Sequence, residues 1–94
     1  MAEKHYIGEI GTEIIVDMQC DISMASGCLF YVKKPNGSVV TWDAQIYGTH
    51  SLRHIVQSGE LDQAGRYLLQ PYIEVSGWKG FGNTCNFEVS RRFE

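Results

Sequence analysis

The stretch Leu61-Asp62-Gln63-Ala64-Gly65-Arg66-Tyr67-Leu68-Leu69 decides how the rest of the chain is arranged. It reads as a turn that feeds a strand. Leu61 seals the end of a core, Gly65 permits the turn by taking a positive φ, and Tyr67 starts a central strand. That strand runs on from Arg66 to Glu74, with Tyr67, Leu69 and Ile73 in one row. Pro71 has no N–H, so the strand is either bulged there or unpaired on one side.

Upstream, the firmest local signal is a hairpin. Cys28–Lys34 runs into Pro35-Asn36-Gly37, and Ser38–Ala44 returns. Proline sets φ for the first central turn position, asparagine tolerates the second, and glycine takes the left-handed conformation that follows. This is a type I turn with a bulge between antiparallel strands. Phe30 and Val32 then face inward opposite Val40, Trp42 and Ala44. Earlier still, Thr12–Cys20 places Ile14, Val16, Met18 and Cys20 at period two, with Asp17 and Gln19 on the other side. Lys4–Gly8 is a short opening strand. Asp21–Gly27 is loop-like, with Ser23 able to cap a single helical turn. Gln45–His50 contains a Gly48-Thr49 break, and Ser51–Gln57 is a strand with Leu52, His54 and Val56 on one side. Downstream, 76–82 is a glycine-rich loop, and Asn83–Arg91 closes the chain with Cys85, Phe87 and Val89 inward. No stretch of helix length shows a 3.6-residue period.

These strands and turns make a single all-β domain over residues 1–94, since the length is too short for two separate cores. The net charge of −3 comes from scattered acids, and no basic run could follow a phosphate backbone, which argues against nucleic acid. No segment nears the ~20 apolar residues of a membrane-spanning helix. The start, Met1-Ala2-Glu3-Lys4-His5, lacks the apolar centre of a signal peptide. Three cysteines without C-x-x-C spacing read as free thiols, with a Cys20–Cys85 bridge left open.

Chemistry is thinly signalled. His50 and His54 share a strand face ~13 Å apart, beyond joint reach of one metal. His54 reads as a hydrogen-bonded core histidine. No nucleophile elbow and no paired carboxylates are spaced for catalysis. Gly77, Gly80 and Gly82 lack the helix context and the Lys-Ser/Thr of a phosphate loop. No enzyme activity, cofactor or metal is expected. Trp78-Lys79-Gly80-Phe81 remains: either Trp78 folds down to cap the core, or Trp78, Lys79 and Phe81 anchor a protein or a sugar. Lys33-Lys34 and Arg91-Arg92 are solvated edge charges that discourage strand addition.

The Gln57–Tyr67 region favours a sandwich over a small barrel. Asp62, Ala64 and Tyr67 follow the acid–small–tyrosine pattern of the corner that opens a late central strand in immunoglobulin-like domains. Gly65 adds one residue to that pattern, and Trp42 falls one strand later than the usual core tryptophan. A wider set of residues resembles small single-domain proteins encoded in bacteriophage and prophage structural gene clusters. It comprises Gly8-Glu9-Ile10-Gly11-Thr12, Lys34-Pro35-Asn36-Gly37, Trp42, the Leu61–Gln70 stretch and Gly77-Trp78-Lys79-Gly80. The layout is also similar to the immunoglobulin-like N-terminal domain of phage baseplate upper proteins. The resemblance implies an immunoglobulin-like antiparallel β-sandwich of about seven strands. It further implies a non-enzymatic virion structural protein of the tail, baseplate, collar or capsid surface, made in the host cytoplasm. Such a protein would bind a larger phage structural protein in multiple copies, with self-association left open. The alternative is a carbohydrate- or cell-surface-binding module using the 76–82 aromatic loop. Pro35, Asn36, Gly37, Trp42, Leu61, Gly65 and Tyr67 are the fold-determining positions.

Overall fold

The computed structural model describes residues 5–91 and residue 93. Lys4 and Arg92, assigned above to the opening strand and to an edge charge, lie outside the described residues. Nine strands follow one another without a helix among the described residues: β1 (His5–Tyr6), β2 (Glu13–Asp17), β3 (Gly27–Lys33), β4 (Val39–Asp43), β5 (Gln45–Tyr47), β6 (Ser51–Ile55), β7 (Gly65–Val75), β8 (Trp78–Phe81) and β9 (Cys85–Ser90). The large sheet has the order β1-β9-β7-β3-β4, and β8 lies beside the second half of β7. The small sheet has the order β2-β6-β5. Only β1 against β9 is parallel.

Both sheets contribute to one core. Alternation puts Phe30 and Val32 of β3, Trp42 of β4, and Tyr67, Leu69 and Ile73 of β7 inside, where they meet Leu52 and Val56 from the small-sheet side. Complete burial of such side chains stabilises by about 1.5–3 kcal/mol each. Ile22 is also buried, although its segment is irregular as expected. Asp21 there accepts hydrogen bonds from the Ser23 N–H and hydroxyl (2.9 and 2.7 Å), so Ser23 caps no helix.

The hairpin turn forms as its residues require. The Gly37 N–H donates to the Lys34 carbonyl (2.8 Å), and the Lys34 N–H to that of Ser38 (2.9 Å), with Gly37 at φ +90°. Its tip rests on the Leu61–Tyr67 corner. Lys34 Nζ reaches Asp62 Oδ1 at 2.9 Å, and the Asn36 N–H donates to Gln63 Oε1 at 3.1 Å. Lys34 is therefore no free edge charge. The Tyr67 hydroxyl accepts the Gln63 N–H (3.1 Å) and donates to Asp62 Oδ1 (3.5 Å). Gly65 has φ +129°, and a Cβ there would lie 2.9 Å from Pro35 Cβ.

Beside the same corner, where the Gly8 N–H donates to the Leu61 carbonyl (2.9 Å), Glu9 ties the start of the chain down. Its carboxylate accepts the Tyr6 N–H (2.9 Å) and the Thr12 hydroxyl (2.8 Å) and lies 3.2 Å from His5 Nδ1.

Several expectations are corrected. Strand β2 ends at Asp17, whose carboxylate accepts the Gln19 N–H (2.8 Å) and holds Gln19 at φ +59°. That turn breaks the alternation, so Cys20 is exposed rather than inward, and all three thiols are free. Gln45–Tyr47 is a strand paired to β6, not merely a break. The 76–82 stretch is not a loop but the return arm of a hairpin. Ser76 and Gly77 turn the chain, with Gly77 at φ +80°, and Val75 pairs with Trp78. These two added strands raise the number from about seven to nine.

Candidate functional site

Strand β7 changes partner halfway along, and this creates the surface of interest. Gly65–Leu69 pairs with β9, and Tyr72–Val75 pairs with β8. Pro71 sits at the switch. Its carbonyl accepts the Gly82 N–H (2.9 Å), while on the other side it stands opposite Phe30 of β3. A residue without an N–H is tolerated there because neither ladder needs a donor from it.

Beyond Pro71, β8 projects past the shared core with both of its faces in reach of solvent. Register puts Lys79 and Phe81 on the outer face of the large sheet, beside Glu74 and Tyr72. Trp78 and Gly80 point to the other side. The predicted binding trio is thus split: Lys79 and Phe81 go together, and Trp78 faces away. Nor does Trp78 cap the core. It remains 51% exposed, with its indole lying against Gly80, where an added Cβ would come within 2.4 Å of the ring. Glycine at this place is what lets the ring lie flat.

Phe81, 53% exposed, is the outer member of an aromatic cluster. Its ring centroid lies 5.4 Å from Tyr31 of β3 and 5.2 Å from Tyr72 of β7, and the two tyrosines meet edge-on at 6.0 Å. Leu68 and Val39 extend this apolar surface along the sheet toward a shallow hollow also lined by Lys33, Gln70 and Thr84. Ion pairs bound the cluster at both ends: Arg66 with Glu88 (3.4 Å) and Lys79 with Glu74 (3.4 Å). Tyrosine and phenylalanine presented inside a charged rim is the composition of protein contact surfaces. Sequence reading missed the cluster because its members sit on three strands joined only by tertiary pairing. The strand parity of Tyr31 and Tyr72, both opposite to the core rows, was the available signal.

The titratable groups inside are structural in geometry. His54 is 5% exposed and stacks on Trp42 with centroids 4.9 Å apart. Its Nδ1–H donates to the Asp43 carbonyl (2.5 Å), and Nε2 lies 2.7 Å from Glu60, which also accepts the Gln57 N–H (2.7 Å). Both ring nitrogens are engaged within the chain. Cys28 donates to the Ala44 carbonyl (3.2 Å), and burial pushes its thiol up, away from the reactive thiolate. Burial likewise raises the Tyr67 phenol, which stays a donor at neutral pH. Asp62 is held below the usual aspartate value, first by its hydrogen bond from Lys34. Among the described residues, no three His, Cys, Asp or Glu side chains gather as a metal site.

Comparison with protein-family models, with curated proteins and with solved structures finds no match to this chain.

Proposed function

We propose that the chain is a non-enzymatic binding domain of immunoglobulin-like topology that works by protein–protein contact as a structural component of a phage particle. The observation that carries the contact reading is the β8 arm, which offers half-exposed Trp78 and Phe81 from a strand that adds no side chain to the core. Large aromatics left in water on a short, ordered arm suit a partner surface better than a folding role.

Three features support the topology. A three-stranded β2-β6-β5 sheet faces a sheet whose central order is β9-β7-β3, extended by β4, as in immunoglobulin-like sandwiches with an added edge strand. The hydroxyl of Tyr67 returns to the backbone of Gln63, the bond of a tyrosine corner. Phe30, fully buried on β3, fills the place of the usual core tryptophan, with Trp42 beside it. The phage setting rests on the sequence resemblance through Gly8–Thr12, the Pro35-Asn36-Gly37 turn and the Leu61–Gln70 stretch. The chain would then reside in the virion, bound in several copies to a larger phage protein.

Mass spectrometry of purified particles of the encoding phage tests this: the chain should be present at stoichiometric copy number, and its absence would sink the virion assignment. A second reading, glycan binding, keeps one favourable observation, the flat exposed indole of Trp78 on Gly80. Phe81 faces away from it, so that reading rests on Trp78 alone. Glycan-array binding lost in Trp78→Ala would favour it; an array blank for the wild type would remove it.

A further inference from the structure

The outer face of the large sheet has a charge pattern that matches its own copy. Along β7, Gln70 is the midpoint between Arg66 and Glu74, and in register it stands beside Tyr31 of β3. Arg66 has Glu88 of β9 at its side, and Glu74 has Lys79 of β8 at its side. The order of charges across the sheet is therefore plus–minus at one end and minus–plus at the other. A two-fold axis lying between two such faces, perpendicular to the strands and over the Tyr31–Gln70 row, sets the strands of the two copies antiparallel. Arg66 then meets Glu74 of the second copy, and Glu88 meets Lys79 of the second copy. The same operation lays Leu68 over Tyr72 and brings Lys33 over Leu29 near Asp43. Every pairing occurs twice, as an isologous contact requires.

We infer that this face is a homodimer interface, centred on the Tyr31–Gln70 row and aligned by the Arg66–Glu74 and Glu88–Lys79 pairs between copies. It rests on the proposed function only in treating the face as a contact surface, and it leaves Trp78, on the opposite side of β8, for the larger partner. Eight residues of strand by three or four strands cover roughly 26 by 15–20 Å. That is at the low end for a specific interface, so the dimer forms at high protein concentration or when copies are held together on a particle.

Sedimentation equilibrium of the full chain over roughly 10 μM to 1 mM reads it directly. The wild type should form a dimer within that range. Arg66→Glu with Glu88→Lys reverses one end of the face, and Glu74→Lys with Lys79→Glu reverses the other. Each double variant keeps an opposite-charge pair within its own chain, and circular dichroism should show both folded. Alone, each sets like charges face to face and should weaken self-association by at least about tenfold. Mixed one to one, the two variants are complementary again at both ends, and the mixture should dimerise as the wild type does. A wild type that stays monomeric throughout, variants that dimerise unchanged, or a mixture that stays monomeric each overturns the interface. Particle binding by the chain, measured separately, stands or falls independently: a monomer still found stoichiometrically on particles would leave the proposed function intact and remove only the dimer.

Discussion

At the two ends of strand β7 a glycine makes room for a side chain, in one case from a distant segment and in the other from its own hairpin arm. At its start, Gly65 is pressed against Pro35, and the Leu61–Tyr67 corner is tied to the hairpin tip by Lys34–Asp62, Asn36–Gln63 and the Tyr67 hydroxyl. Past its finish, Gly80 is covered by the indole of Trp78, its own neighbour on the arm, and the ion pair there is the exposed Lys79–Glu74. One end joins segments distant in sequence and closes the core. The other adds a strand whose side chains leave it. A single sheet can thus keep the closure of its core apart from the arm that carries Trp78, so that changes at one end leave the other in place.

Gly65→Val should break the closed end with the largest effect. Valine meets both a φ of +129° and a proline carbon at about the distance a Cβ never tolerates. Strain of this kind costs about 1–3 kcal/mol before the clash is relieved, so a loss of about 3 kcal/mol or more is expected in urea unfolding. Unchanged stability would mean that the corner is not the closure described. Tyr67→Phe tests the same end more gently. The ring stays buried, but the Gln63 N–H loses its acceptor, and about 1–2 kcal/mol should be lost with no change in fold.

Substitution at the open end should do the reverse. Trp78→Ala removes a half-exposed ring with no place in the core and should move stability by less than about 1 kcal/mol. Contact with the larger partner should nevertheless fail, as read by pull-down of particles. A large loss of cooperativity in thermal unfolding would instead return Trp78 to a capping role and collapse the contrast between the ends.

The closed end was legible because its signals are local: Pro35-Asn36-Gly37 dictates a turn, and the alternation through Phe30, Val32, Tyr67 and Leu69 dictates which side is buried. The open end was not. Gly77, Gly80 and Gly82 weigh against a strand in any short window, and β8 exists because the second half of β7 supplies it with a partner once Pro71 has ended the pairing with β9. The same holds for the aromatic cluster, whose three rings meet only after β3, β7 and β8 are in register. Ile22 was hidden for a different reason, since a lone buried residue in an irregular segment has no period to betray it.

The smallest effect sharpens the comparison through pH. In the folded chain Asp62 is held below the ordinary aspartate value, chiefly by the Lys34 hydrogen bond. At the same end, next to the Gly8 N–H that donates to the Leu61 carbonyl, Glu9 is lowered as well: burial alone would raise it, but the Thr12 hydroxyl, the Tyr6 N–H and His5 outweigh that. A carboxylate with a depressed folded value binds its proton less readily when folded than when unfolded. Its stabilising contribution is therefore full above the unfolded value, near pH 4 for these side chains, and is lost as pH falls below that. Asp62 is half exposed and Glu9 partly so, and solvent screening limits each to less than about 1 kcal/mol. Urea midpoints measured at pH 6 and pH 3 should show a decline that Asp62→Asn reduces, because the variant has already lost the charge that acid removes. The exposed Lys79–Glu74 pair at the open end should add less than about 0.5 kcal/mol, and Glu74→Gln should leave the pH 6 midpoint close to that of the wild type. A loss in Glu74→Gln at pH 6 as large as that in Asp62→Asn would show that the open end also carries stability, and the division between the two ends of β7 would have to be given up.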